Sequence, residues 1–552
     1  MNAIGALRQH ISALLTIAIL FIAALTLQFM SDARGHELAH WADEPAHVVT
    51  AVMVHDYLSA GLPEAPQRYA ERYYSHYPKI ALGIWPPLLY LVAGVWMLFF
   101  GVSPAALLLL SCTLVASLAS LLALSVRRLW GSAMGIVAGL FFLALPSVQT
   151  SNSTFMLDIP VALASFAAML IMERYFRSPS TWLAVALGVT ISAAMLTKGN
   201  ANALVLMVGL MLLITGRFSL LRQSSLYICG LIVIVLGLPW QFITLRLLSR
   251  GSNVVPLSLD LIAKKTLLYM RILVGDLTYP VILLIVIGVA VSLWHARSDS
   301  GKEVLLLASA SSLLLAIVVF HCLVPVVGGV DPRYMTSAWA PGIILFLSGC
   351  RYVSRLGLKN ERYFAVRLAT IVGGCILFAV SLGALRLNAK DVPLGFSQVA
   401  SVTLSENRSC CNMLISSDSI GEGAFTSEVL FRDRAVSRVV LRATKLVSES
   451  AWNGQSFRLL VQDGKAAARM LSDNAVDVVV VDLTKTEAEV ARSVLLAGLA
   501  LEADQWQATR VSGDYNRSFD VYRRLETGHL KKAVVRVPMR FTLGHEIQVH
   551  PK

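Results

Sequence analysis

The run 80–100, IALGIWPPLLYLVAGVWMLFF, decides how this chain is laid out. It is apolar and long enough to cross a bilayer, but Pro86 and Pro87 interrupt it where a helix interior does not accept them. Further apolar runs lie at 11–29, 104–126, 131–148, 159–173, 180–197, 201–216, 225–245, 279–294, 304–327, 334–350 and 367–387. Suppose 80–100 crosses with the rest. Arg127-Arg128, Arg174/Arg177, Arg217/Arg222, Arg297/Lys302 and the cluster Arg351–Arg367 then all fall outside, against the positive-inside bias. If 80–100 instead lies along or dips into the interface, the same gaps join Arg8 in the cytoplasm. The gap 149–158, which has no Lys or Arg, then faces outward. The second layout is the expectation: about eleven transmembrane helices plus an interfacial helix, with the C-terminus outside.

Composition agrees with that class. The 552 residues are 56% hydrophobic and 15% charged, with a mean hydropathy of +0.66, whereas soluble domains are about half apolar and about a quarter charged. The net charge of +13 sits mostly in short gaps between apolar runs. There it sets orientation and meets anionic headgroups, so the partner is a lipid bilayer and not nucleic acid. The first run, 11–29, reads as an uncleaved first span; a signal peptide is the alternative, with a shorter apolar core. Of seven cysteines, five lie in apolar runs and Cys410-Cys411 are adjacent; the spacing fits no zinc or haem pattern.

From about 391 the composition becomes that of a soluble domain. The chain therefore divides into a membrane part, 1–390, with a large first extracytoplasmic loop at 30–103, and a soluble α/β domain, 391–552. NMLISSDS (412–419) reads as a strand and turn, AFTSEVLFRD as a helix, VVLRATKLV as a strand, DGKAAARMLSDNA as a helix and DVVVVDL (477–483) as a buried strand. That alternation predicts a largely parallel sheet. Gly421-Glu422-Gly423 is either a phosphate-cradling turn or a plain strand–helix turn. Sequons stand at Asn152, Asn407 and Asn516.

The first loop carries the densest chemistry, GHELAHWADEPAHVVTAVMVH at 35–55. His36-Glu37-Leu38-Ala39-His40 matches H-E-x-x-H, in which two His one helical turn apart bind Zn²⁺ and the Glu activates water. A membrane zinc metalloprotease is therefore one reading, although Trp41 and Pro45 follow at once and no third ligand stands out. Polar side chains on a solvated loop are another.

A further set of short motifs appears in order. Trp41-Ala-Asp-Glu44 is followed by Tyr77-Pro78-Lys79, Trp85-Pro86-Pro87-Leu88-Leu89-Tyr90 and Leu129-Trp130-Gly131. Met156-Leu157-Asp158-Ile159-Pro160, Thr197-Lys198-Gly199 and Asp331-Pro332-Arg333-Tyr334 complete the set. Together over roughly 1–390 they resemble the polyprenyl-phosphate-sugar glycosyltransferases of the GT-C fold. Within that fold they resemble glycosyltransferase family 39, the protein O-mannosyltransferases, and the lipid A aminoarabinose transferases. The resemblance implies a helical polytopic membrane enzyme that moves a sugar from a lipid phosphate to a hydroxyl acceptor (glycan, lipid or protein) outside the cytoplasm. In a bacterium this is the periplasmic face of the inner membrane. It implies Asp43 as general base, Glu44 orienting the acceptor or Asp43, and Asp158 as a second acid. A leaving phosphate needs cations, which Lys198 and Arg333 would supply, with Lys79 and Tyr334 beside them. Several have a plainer reading: helix N-caps for Asp43, Glu44 and Asp158, a snorkelling Lys198, an interfacial Tyr334. A divalent metal is compatible with the fold without being required. A lipid or sugar transporter is the non-enzymatic alternative; it favours mid-span charges and an internal repeat, whereas these charges lie at span ends.

Overall fold

The computed structural model describes residues 3–81, 83–251, 257–298, 301–323, 331–356, 361–382, 395–405, 412–449, 457–484, 489–513, 517–525, 535–538 and 546–549. Cys410-Cys411, the sequons at Asn407 and Asn516, and the expected domain boundary at 390/391 lie outside the described residues.

Each apolar run becomes a helix. The first, α1 (Ala3–Met30), ends at a short turn, Ala33–Gly35. The loop beyond it forms α2 (Glu44–Ser59), α3 (Pro66–His76) and α4 (Leu88–Phe100), which begins directly after Pro86-Pro87. The 13 residues of α4 rise about 20 Å, short of a hydrocarbon core of about 30 Å. This element lies along α2, and Gly94 permits the close approach: a Cβ there would meet Val54 Cγ1 at 2.8 Å. The expected break at Pro86-Pro87 is therefore present, with a short apolar helix after it.

The bundle continues through α5 (Pro104–Trp130), α6 (Ser132–Ala144) and α7 (Pro146–Asn152), with a 75° bend between the last two at Pro146. Next come α8 (Asp158–Arg177), α9 (Thr181–Met195) and α10 (Ala203–Thr215). Helix α11 (Ser224–Ile232) runs through a π turn into α12 (Leu238–Gly251). The last four are α13 (Leu259–His295), kinked where Thr278 takes φ 66° beside Pro280, α14 (Lys302–Leu323), α15 (Thr336–Arg355) and α16 (Glu361–Leu382). Among the described residues seven helices are long and apolar enough to span, or eight if α6 and α7 count as one. Helices α9 and α10 have only 15 and 13 residues, and α15 is buried along nearly its whole length as the central helix. The expected eleven crossings are thus all helical, but these three fall short of that measure.

The two ends of the bundle differ in chemistry. At one end Arg127 reaches Gln9 O at 2.9 Å, Trp130 donates to Glu303 at 3.1 Å, and Arg351 lies 5.3 Å over the Trp130 ring. The basic gaps gather there. At the other end Gln28 donates to Asn152 O at 2.6 Å, and Leu88 N donates to Leu196 O at 2.9 Å. Asn152 is buried and donates to Ala24 O at 2.8 Å, so its sequon is sealed in the bundle.

The tail begins with α17 (Phe396–Leu404), β1 (Asn412–Ser416), α18 (Ser419–Arg432), β2 (Val439–Arg442) and α19 (Ala443–Leu446). A small ribbon follows, β3 (Ser448–Glu449) with β4 (Arg458–Leu459). Then come α20 (Gly464–Asp473), β5 (Val476–Asp482), α21 (Glu489–Leu501), β6 (Trp506–Ser512) and β7 (Ser518–Arg524). The sheet order is β2-β1-β5-β7-β6; β2, β1 and β5 pair in parallel, whereas β7 pairs antiparallel with both β5 and β6. That corrects the largely parallel sheet: the hairpin at 506–524 adds an antiparallel edge. VVLRATKLV is not one strand, because the chain turns into α19 after Arg442. Gly421-Glu422-Gly423 lies inside α18 as an ordinary strand–helix connection. A Cβ on Gly421 would meet Ser417 Oγ at 2.2 Å, so that glycine is there for packing.

The loop and the tail share a core. Val48, Val52, Tyr77 and Tyr90 pack in one cluster with Phe396, Ile415, Phe425, Val480 and Phe519. Tyr77 donates to Asp433 at 2.8 Å, and Arg434 pairs with Asp56. The tail is therefore seated on the first loop.

Candidate active site

The site forms where α2, α8, α15 and the turn after α9 end together. Asp43 sits at the N-cap position of α2, but its carboxylate makes no capping bond, and the side chain is 40% exposed. The plain N-cap reading does not describe it. Arg333 Nη2 lies 3.9 Å from Asp43 Oδ2.

Arg333 is held from two sides. Asp331 accepts from its Nε at 2.8 Å and its Nη2 at 2.7 Å, and also from its backbone N at 3.0 Å. The guanidinium lies 4.3 Å over the Trp41 ring. Nη2, shared with Asp331, is the guanidinium nitrogen that faces Asp43.

Asp158 stands in the first turn of α8 without capping it. It is 1% exposed, and its Oδ1 accepts from Lys198 Nζ at 2.5 Å. Its Oδ2 is buried with no partner among the described residues. Lys198 is thus paired with a carboxylate and does not snorkel outward. Its ammonium also lies 5.0 Å over Tyr334, whose other neighbour is the His321 ring at 5.9 Å. Tyr334 belongs to the cluster and not to a lipid-facing belt.

Glu44 is fully buried. Its Oε2 accepts from His40 N at 2.8 Å and its Oε1 from Phe155 N at 2.7 Å, so it ties the first loop to the approach of α8. Burial pushes its carboxyl up to about 7, against the pull of those amides and of Arg333. Lys79 is half-buried and donates to Ser419 O at 3.2 Å. Burial, and then the Arg442 charge, lower its ammonium to about 7, while Asp43 and Glu422 pull the other way. The tail therefore reaches the site. Arg442 donates to Glu422 at 2.9 Å and to Pro78 O at 3.3 Å beside Lys79.

The motifs Trp41–Glu44, Asp158, Lys198 and Arg333–Tyr334 thus converge, with Lys79 on the tail side. Two further residues belong with them. Asp331 orients Arg333, and the Asp-x-Arg spacing was the signal for it. His47 is one helical turn beyond Asp43, buried, and hydrogen-bonded through Nδ1 to Tyr90 OH at 2.8 Å. Burial first, then the charges of Lys198, Arg333 and Lys79, hold its pKa well below the usual range.

The H-E-x-x-H reading is overturned. Residues 36–43 are not helical, so His36 and His40 are not one turn apart on a helix. Glu37 Oε1 instead accepts from Gly395 N and Ser397 N, each at 3.0 Å, and anchors the tail. Among the described residues no group of three His, Cys, Asp or Glu converges as a divalent ion requires, and the buried acid Asp158 already holds Lys198.

A bundle of spanning helices, a docked aqueous domain and a carboxylate–cation cluster at the span ends define an integral, multi-pass membrane protein with the GT-C fold. Residues 85–242 match the family described as dolichyl-phosphate-mannose-protein mannosyltransferase. No curated protein matches the chain. Among solved structures, ArnT from Cupriavidus metallidurans bound to undecaprenyl phosphate matches at TM-score 0.54 and 15% identity, over 91% of this chain and 97% of that one. AglB, the oligosaccharyltransferase of Archaeoglobus fulgidus, in complex with an inhibitory peptide and a dolichol-phosphate, matches at TM-score 0.54 and 11% identity, over 96% and 77%. The mycobacterial arabinofuranosyltransferase AftD matches at TM-score 0.51 and 12% identity, over 94% and 40%. At these identities the likeness is one of fold. The family match is narrower than the expected 1–390, and the structural match extends through the tail.

Proposed function

We infer that this chain is a membrane glycosyltransferase that moves a sugar from a polyprenyl-phosphate donor to a hydroxyl acceptor. The observation that carries the reading is Asp43: an open carboxylate beside a clamped guanidinium, at the mouth of a site that also holds Asp158 and Lys198. The family match at 85–242, and the lipid phosphates named with ArnT and AglB, support the same chemistry.

In the proposed step Asp43 accepts the hydroxyl proton as that oxygen bonds to the anomeric carbon. The bond from that carbon to the phosphate oxygen breaks on the opposite face, and the lipid phosphate leaves with the electron pair. Arg333 and Lys79 neutralise it, with Tyr334 as a neutral donor. Lys198 acts through its pair with Asp158, whose free Oδ2 accepts a hydroxyl from sugar or acceptor. Glu44 is a positioning residue, since both its oxygens are occupied. The positive-inside bias places the basic end in the cytoplasm, so the site faces outward, toward the periplasm of a bacterial inner membrane.

The test incubates purified protein with a panel of radiolabelled polyprenyl-phosphate sugars and a membrane extract, and identifies the labelled product. Release of label only as free sugar, or no transfer from any donor, would count against the reading.

A further inference from the structure

A second cleft, of about 390 Å³, has neither Asp43 nor Arg333 in its lining. It lies between the turn after α1, the α4–α5 turn and the α17–α18 face of the tail. Its charged and imidazole lining is Arg34, His36, Glu37, Glu428 and Arg432.

Its charges are unevenly matched. Arg432 is consumed within the wall, donating to Glu428 at 2.5 Å and to Ser397 and Ser401 at 2.8 and 3.0 Å. Glu37 has no cationic partner among the described residues. It is 7% exposed, its Oε1 is spent on two amides, and its Oε2 is buried without a hydrogen bond. His36 Nδ1 beside it is likewise buried and unpaired among the described residues. A buried carboxylate left this way is costly unless something brings it a proton or a cation. Arg34 has the opposite need: it is exposed, with the Phe29 ring at 4.2 Å as its neighbour and no carboxylate paired to it among the described residues.

The order of these groups along the bilayer normal is informative. Arg34 lies just past the end of α1, where Phe29 and Met30 are more than half exposed. The other wall is the start of the span α5 at Pro104, preceded by the exposed Phe99 and Phe100. Arg34 is therefore on the membrane side, while Glu37 and Glu428 are against the aqueous domain. From bilayer to water the cleft presents a cation, then carboxylates. An ethanolamine phospholipid presents the complement in the same order, phosphate first and ammonium beyond it.

We propose that this cleft binds the headgroup of phosphatidylethanolamine, with phosphate on Arg34 and the ammonium donating to Glu37 Oε2. A choline headgroup keeps the charge but has no N–H to donate, and a glycerol headgroup has no cation, so both fit less well. The site is separate from Asp43, and its test involves no sugar transfer.

The test titrates delipidated full-length protein with phosphatidylethanolamine, phosphatidylcholine, phosphatidylglycerol or water-soluble phosphoethanolamine, counting bound molecules by native mass spectrometry. One phosphatidylethanolamine should bind about tenfold more tightly than the other two lipids, and the soluble headgroup far more weakly. Arg34→Ala, an exposed change, should weaken that binding about tenfold. Glu37→Gln keeps an oxygen for Gly395 and Ser397 and should abolish the preference over phosphatidylcholine. Equal binding of the three lipids, or unchanged binding by Arg34→Ala, overturns the proposal. Soluble phosphoethanolamine binding as well as the lipid would mean that the ligand is not a bilayer component, and overturns it too.

Discussion

Arg333→Ala separates substrate binding from scaffolding. Two contacts bear on its magnitude. The Asp43 carboxylate is 3.9 Å away and 40% exposed. At an effective dielectric of about 20 that separation gives a gross attraction of about 4 kcal/mol, but solvent screening reduces an open pair to about 1 kcal/mol or less. The Asp331 contacts, at 2.8 and 2.7 Å, join residues two apart and mostly shape one turn. The change should therefore cost little stability. A charged hydrogen bond to phosphate in a partly dehydrated site is worth about 1.5–3 kcal/mol, so donor affinity should fall about ten- to a hundredfold. Arg333→Lys keeps the charge but loses the fork and the stacking on Trp41, and should recover less than half of that loss on a logarithmic scale. Asp331→Asn should fall between wild type and Arg333→Lys, since the guanidinium remains but is less well aimed. The assay is equilibrium binding of a radiolabelled polyprenyl-phosphate sugar in one detergent, with a melting curve for each variant. Arg333→Ala binding donor within about twofold of wild type would refute the phosphate assignment.

Lys198→Ala leaves Asp158 buried and unpaired, so it should lower the melting temperature, and Asp158→Asn added to it should restore most of the loss; no loss, or no restoration, would mean the pair is not a structural unit. Lys79 stands at about 7 in the empty site, and a bound phosphodiester would raise it. Its contribution to binding is then fully present below pH 7 and lost as pH rises through the bound-state value, so donor affinity should weaken above neutrality. Lys79→Arg, charged throughout, should flatten that profile, and an unchanged slope would exclude Lys79 from the phosphate site. Reporter fusions after Arg128 and Arg177 should read as cytoplasmic, and those at Asn152 and Gly464 as extracytoplasmic; a cytoplasmic reading at the second pair would reverse the site's orientation.

Much of the site was legible because its parts lie at span ends, where a charge in an apolar sequence stands out. Asp158, Lys198 and Asp331–Tyr334 are each the polar punctuation of an apolar run, and sorting the basic gaps to one end left these at the other. What the chain order concealed is long-range. Glu37 looked like the centre of a zinc motif because its partners, Gly395 and Ser397, are about 360 residues away. Nothing local says that 36–40 is not helical. The burial of Glu44 likewise depends on Phe155 N, which is more than a hundred residues away. The reach of the tail to Lys79 depends on tertiary docking of α18 on α2, to which no periodicity points. The antiparallel edge was missed because 506–524 alternates only weakly, with β6 mostly exposed.

The central claim is that Asp43 removes the acceptor proton. The most direct measurement is single-turnover sugar transfer by Asp43→Asn beside wild type, with donor binding measured on the same preparations. Asparagine keeps the shape and cannot take the proton. Transfer should fall by about a hundred- to ten-thousandfold while donor affinity stays within about threefold of wild type. Transfer at a near wild-type rate would contradict the account, because the base would then have to be another group.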